Sequence, residues 1–216
     1  MKIAGIDEAG KGPVVGPMIV AGVMVSEKHI ASLGRLGLRD SKALSPGRRE
    51  FLAKEIRKVA KYHIIEVSAG QIDALREKMT MNEIMVISYA KVLKDIKPDR
   101  AFLDAADVNP MRFAQNVREK YGASVDIISE HNADVKYPIV SAASILAKVR
   151  RDEAVRALEK QIGQEIGSGY PSDSRTVHFL EKWIKEHDSL PTFVRHSWKT
   201  AQVALKKHGQ SSLSRF

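Results

Sequence analysis

The sequence contains no cysteine in 216 residues. That absence excludes disulfides, thiolate metal sites and a cysteine nucleophile, and it suits a reducing cytoplasm. A metal held by this chain must be bound through oxygen or imidazole. Long apolar runs are also missing: none approaches the roughly 18 residues of a membrane span, and the chain opens on a strand instead of a signal-peptide pattern. The expectation is a cytoplasmic monomer with no membrane partner. Negative charge is scarce as well. There are 26 Asp and Glu against 35 Lys and Arg, a formal charge of +9 and a pI near 9.7. Such a balance suits either a polyanionic partner, with nucleic acid the leading candidate, or a basic surface that serves only solubility. Hydrophobic residues, at 44%, suffice to fill a core, so the chain reads as one large domain or one domain with an appendage.

The most informative stretch is Ile3-Ala4-Gly5-Ile6-Asp7-Glu8-Ala9-Gly10-Lys11-Gly12-Pro13. A short apolar strand ends in adjacent carboxylates, and a glycine-rich turn follows. Strand side chains alternate between faces, so Asp7 and Glu8 cannot share one, and an unpaired buried carboxylate costs several kcal/mol. A cation should therefore sit nearby. Gly10 and Gly12 leave backbone N–H groups open to a phosphate or sugar. The spacing up to Lys11 imitates a phosphate-binding loop. Gly12 stands where Ser or Thr should hold Mg²⁺, however, and the two acids would repel the phosphates.

Further along, Met18 to Val25 reads as a hairpin partner of the first strand, Ser45-Pro46 as the cap of a basic helix to about Lys58, and Tyr62 to Val67 as a third strand. Thr80-Met81-Asn82-Glu83 is a capping box opening a helix, with Asn82 in its first turn. Arg100 to Asp104 repeats the pattern of a short strand ending in Asp. A helix over about 110–120, a strand over 124–129 and a long helix over about 139–162 complete an α/β unit. The turn cluster Gly167-Ser168-Gly169-Tyr170-Pro171-Ser172-Asp173 marks a boundary. It is expected to divide a main α/β domain (1–170) from a helical, basic region (171–216). The last 26 residues carry five Lys or Arg and no Asp or Glu, which suits either a clamp on a phosphate backbone or a solvated tail.

Asp7 and Asp104 both end strands, and ligands of open α/β sheets sit outside strand ends. If those strands are neighbours, the acids meet. Asp134 follows the fifth strand and either joins them or caps the next helix. Oxygen ligands of this kind suit Mg²⁺ or Mn²⁺ and two-ion phosphodiester hydrolysis.

Taken in order, Asp7 to Pro13, Asp40-Ser41-Lys42, Asp104-Ala105, His131-Asn132-Ala133-Asp134, Ser141 to Lys148 and Gly167 to Asp173 make the chain resemble ribonuclease HII, in its archaeal branch. The resemblance implies a ribonuclease H-like α/β fold: a mixed five-stranded sheet flanked by helices, with a small C-terminal helical region. It implies cleavage of RNA in RNA–DNA hybrids and nicking 5′ of ribonucleotides embedded in duplex DNA, with Mg²⁺ or Mn²⁺. By position, Asp7, Glu8, Asp104 and Asp134 resemble the four metal-binding acids, and Asp107 is read as a loop acid. Gly10-Lys11-Gly12 matches a Gly-Arg-Gly element whose backbone approaches the 2′-hydroxyl, the group that separates RNA from DNA. Lys11 departs from that element: a point charge replaces a planar fork. Tyr170 resembles the junction-sensing tyrosine, and Lys42, Asn82 and Lys148 resemble phosphate contacts. The alternative from another class is a non-catalytic RNA–DNA binding module.

Overall fold

The computed structural model describes residues 1–38 and 44–213. Its strands are β1 (Lys2–Ala9), β2 (Met18–Ser26), β3 (Lys61–Val67), β4 (Arg100–Asp104) and β5 (Asp126–Glu130), in the sheet order β3-β2-β1-β4-β5. β1 runs antiparallel to β2 and parallel to β4, and β4 parallel to β5. The sheet is therefore mixed, with β1 at its centre. The described α-helices are α1 (Ile30–Gly34), α2 (Pro46–Val59), α3 (Ala69–Arg76), α4 (Met81–Ile96), α5 (Pro110–Tyr121), α6 (Ala133–Lys136), α7 (Pro138–Ile162), α8 (Ser174–His187) and α9 (Lys199–Leu213).

Packing divides the chain into two units that are not successive stretches. The first comprises Met1–Ala9, Ile19–Glu66 and Thr80–Arg150; the second comprises Gly10–Met18, Val67–Met79 and the chain from Arg151 onward. In the first unit the sheet is covered on both faces, which explains why β2 is buried from Met18 to Val25 instead of alternating. Two glycines allow that cover to come close. A Cβ on Gly5 would fall on the backbone of Ile139 and Val140, where α7 begins, and one on Gly22 would overlap Val92 of α4. Helix starts follow the sequence signals. Ser45 caps α2 with Pro46 in its first turn, and Thr80 and Glu83 close a reciprocal capping box on α4. Three short helices, α1, α3 and α6, have no counterpart in the sequence reading, although Ser68 and Gln71 close a capping box on α3.

The second unit has its own apolar core, with Val14, Val15, Ile166, Phe179, Leu180, Val194 and Ala201 all buried. The solvated-tail reading of the last 26 residues does not hold for their first part. Val194 bridges antiparallel to Val15, and Arg195 is fully buried. A turn of chain carrying valine and alanine into a core is structure, not a frayed end.

Candidate active site

Pleating of β1 turns consecutive residues to opposite faces. Ile3 and Gly5 face α7, Ile6 faces α4, and the same alternation carries Asp7 and Glu8 to separate helices. Asp7 accepts a hydrogen bond from Ser144 of α7, and its Oδ1 lies 2.7 Å from the Glu8 backbone nitrogen. Glu8 Oε2 accepts the hydroxyl of Tyr89 on α4, which also lies 3.3 Å from the Asp104 carbonyl. Two neighbouring carboxylates are thus fixed from two sides.

The β1–β4 register pairs Gly5 with Phe102 and Ile6 with Leu103, so one further step sets Asp7 beside Asp104. Asp104 Oδ1 in turn accepts the backbone N–H of Ala133 at 2.8 Å. That bond anchors the short helix α6 carrying Asp134. Asn132, in the left-handed conformation, occupies the N-cap, so Asp134 is a buried first-turn residue and the capping alternative is not realised.

Asp7 is 4% exposed. Burial pushes its carboxyl well above the ordinary range, and the charges of Glu8 and Asp104 push it further. Ser144 and the Glu8 N–H only partly oppose them. Tyr89 is likewise pushed up, first by burial and then by Glu8. Among the described residues no three acidic or histidine side chains are already closed into a coordination sphere. Even so, the donor set is hard oxygen and its charges repel one another, an arrangement that a divalent cation reverses into attraction. The residues fit such an ion.

The other predicted residues fall in two places. Lys148 donates to Ser144 Oγ at 2.8 Å, one helical turn away, so it reaches Asp7 through that hydroxyl. Asn82 Nδ2 lies 3.4 Å from Asp107 Oδ2. Asp107 lies in the loop after β4, where it is buried and ion-paired with Arg112. Lys42 lies outside the described residues. In the second unit, Gly12 and Tyr170 come together: a Cβ on Gly12 would sit 3.6 Å from Tyr170 Cε1. Tyr170 is 41% exposed, and its ring carries the Arg151 guanidinium at 5.4 Å from its centroid.

The sequence reading missed Tyr89, Arg151 and Arg195. Tyr89 stands in an amphipathic helix where an aromatic reads as core, and the two arginines read as surface charge.

A mixed sheet in this order, with its central strand and parallel neighbour ending in adjoining carboxylates, has the ribonuclease H-like architecture. The model of the family described as Ribonuclease HII matches residues 4–201. The ribonuclease HII of Methanothrix thermoacetophila is 56% identical over 203 residues, covering 94% of this chain and 96% of that protein. The crystal structure of ribonuclease H2 from Pyrococcus horikoshii superposes with a TM-score of 0.92 at 40% identity, covering 97% of this chain and all of that one. The ribonuclease HII of Archaeoglobus fulgidus, solved in complex with PCNA, gives 0.86 at 44% identity, covering 92% of this chain and 96% of that one. This chain belongs to the ribonuclease HII family, and it is an endonuclease that hydrolyses phosphodiester bonds.

Proposed function

We propose that the enzyme hydrolyses the RNA strand of RNA–DNA hybrids and nicks duplex DNA on the 5′ side of a single embedded ribonucleotide, leaving 3′-hydroxyl and 5′-phosphate ends. One observation carries the reading: a buried Asp7 whose neighbours Glu8 and Asp104 are also carboxylates, all oriented by hydrogen bonds. Asp7, Glu8, Asp104 and Asp134 would hold two Mg²⁺ or Mn²⁺ ions, in keeping with the metal dependence of the family. When bound, the ions supply the charge that activates water and stabilises the leaving oxygen. The chain's own task is orientation. Ser144 and Tyr89 keep Asp7 and Glu8 turned to opposite faces, and Lys148 holds Ser144.

Selection of the ribonucleotide falls to the second unit. The Gly10-Lys11-Gly12 backbone would contact the 2′-hydroxyl, and the exposed Tyr170 ring beside Gly12 would stack on the adjoining deoxyribose. Residues 171–216 form the basic region that meets the phosphate backbone, with Lys42, Asn82 and Lys148 as further candidate contacts. The enzyme would act as a cytoplasmic monomer. Among the described residues no helix is long and apolar enough to cross a membrane.

The test is cleavage of an end-labelled duplex containing one ribonucleotide, beside an all-DNA duplex and a long hybrid, in Mg²⁺, Mn²⁺ or EDTA. Metal-dependent cutting 5′ of the ribonucleotide is expected. Products ending in a 2′,3′-cyclic phosphate would refute hydrolysis by water. Salt-sensitive binding without cutting would make the chain a binding module.

A further inference from the structure

Arg195 lies in the second unit with none of its surface exposed. Among the described residues its hydrogen bonds go only to backbone carbonyls. Nη2 donates to Gly10 O at 2.6 Å, Nη1 to Lys11 O at 3.0 Å, and Nε and Nη2 to Gly16 O at 3.2 and 3.1 Å. Among the same residues no carboxylate is paired with it. Burial, and then the charge of Arg151, push its guanidinium down to about 9, so it stays cationic at neutral pH. The charge of Asp73 opposes that shift without an ion pair, and a buried cation is costly unless its hydrogen bonds compensate. The geometry indicates what it accomplishes.

The three carbonyls belong to the Gly10–Gly16 turn, and a fourth is held from close by: Trp198 Nε1 donates to Gly12 O at 3.0 Å, its ring beneath the Arg195 guanidinium at 4.8 Å. In a planar trans peptide the C=O and the following N–H point in opposite directions. Drawing the Gly10 and Lys11 carbonyls toward Arg195 therefore turns the N–H groups of Lys11 and Gly12 away from it. The Gly12 carbonyl precedes Pro13, which has no N–H, so the series of donors stops at Gly12. The grip is itself anchored. Arg195 N donates to Val14 O at 2.8 Å, and Asp73 of α3 accepts from His196 N at 2.7 Å and Ser197 N at 3.0 Å. Gly10 has φ +88°, and a Cβ there would lie 2.7 Å from both the Arg151 side chain and Pro17 O. The turn has little room to take another shape.

We propose that Arg195 is a positioning residue for ribonucleotide selection: by gathering the carbonyls of Gly10, Lys11 and Gly16, it presents the Lys11 and Gly12 N–H groups to the ribose 2′-hydroxyl. The assignment of that hydroxyl rests on the proposed function. A lysine at 195 keeps the charge but cannot span three carbonyls with a planar fork.

The experiment compares wild type, Arg195→Lys and Trp198→Phe for kcat/KM on a duplex with one ribonucleotide and on a long RNA–DNA hybrid. Amide hydrogen exchange at Val14 and Gly16, whose N–H groups close the same turn onto the Gly169 and Phe193 carbonyls, is followed in the same full-length proteins. A lone ribonucleotide offers a single 2′-hydroxyl, so Arg195→Lys should lower the single-to-hybrid ratio roughly tenfold, the equivalent of one or two hydrogen bonds removed. Exchange at Val14 and Gly16 should quicken. Trp198→Phe should shift the ratio in the same direction by less. An equal loss on both substrates, with exchange unchanged, would make Arg195 a fold staple and overturn the proposal. If Arg195→Lys is too unstable to assay, an unchanged ratio in Trp198→Phe overturns it. Wild type that cuts neither substrate would defeat the proposed function, while unchanged exchange in the variants would separately defeat the positioning role.

Discussion

Tyr89 donates its hydroxyl to Glu8 while lying 3.3 Å from the Asp104 carbonyl, so one phenol on α4 ties together the ends of β1 and β4. Phenylalanine at this position fills the same volume and keeps the edge-on packing with Phe113, whose ring centroid lies 5.1 Å away. Only the hydroxyl is removed. A hydrogen bond to a charged group is worth about 1.5–3 kcal/mol. Tyr89→Phe is therefore expected to destabilise the fold by about that much and, with Glu8 no longer held, to slow single-turnover cleavage by roughly ten- to a hundredfold. A wild-type rate would show that Glu8 needs no such support.

Asp7→Asn keeps the shape of the side chain and removes its charge. Turnover should vanish in Mg²⁺, since the carboxylate at the centre of the cluster is gone. The fold should survive, because the surrounding acids and burial already disfavour ionised Asp7. In EDTA the variant is expected to melt above wild type near neutral pH, because repulsion within the acid cluster is relieved. Added Mn²⁺ should raise the wild-type melting temperature more than the variant's. Near-full activity in Mg²⁺ would mean that a different acid carries the chemistry.

Much of this arrangement was legible in the sequence, and the legible part follows from local rules. The strand ending in Asp7-Glu8, the strand ending in Asp104 and the capping box at Thr80 and Glu83 are patterns of neighbouring residues. Their meeting was conditional on β1 and β4 being neighbours, which the parallel register supplies. What could not be read depends on distant partners. Arg195 reaches carbonyls 179 to 185 residues away, and no local pattern separates it from a surface arginine. Asp107 shows the same limit. Two carboxylates three residues apart look equivalent, and only the placement of Arg112 and Asn82 reveals that one is committed to ion pairing.

Asp173 gives a prediction on the acid side. It caps α8, and its pairing with Arg175, followed by the bond it accepts from Ser168 N at 2.8 Å, holds its carboxyl far below the ordinary carboxylate range. A folded pKa depressed in this way contributes stability that is present above the unfolded value and lost as pH falls. Asparagine still caps a helix but carries no charge. Asp173→Asn should therefore melt below wild type at pH 7, and the difference should begin to close below about pH 4 and keep closing as the pH drops. A constant difference across that range would locate the effect in the cap instead of the ion pair.

The basic C-terminal region requires a finer cut than deletion. Removing everything after Leu190 would take Val194, Arg195 and Ala201 out of a core, so weakened binding would report unfolding. Lys199 and Lys206 are exposed on α9 and can be neutralised without touching that core. If they pair with phosphates, Lys199→Gln with Lys206→Gln should weaken hybrid binding uniformly across sequences and reduce the slope of log K against log salt by about 2, one for each phosphate that is no longer neutralised. The melting temperature should stay at its wild-type value. An unchanged slope would show that α9 is a solvated face, and would leave the phosphate backbone to residues nearer the acids.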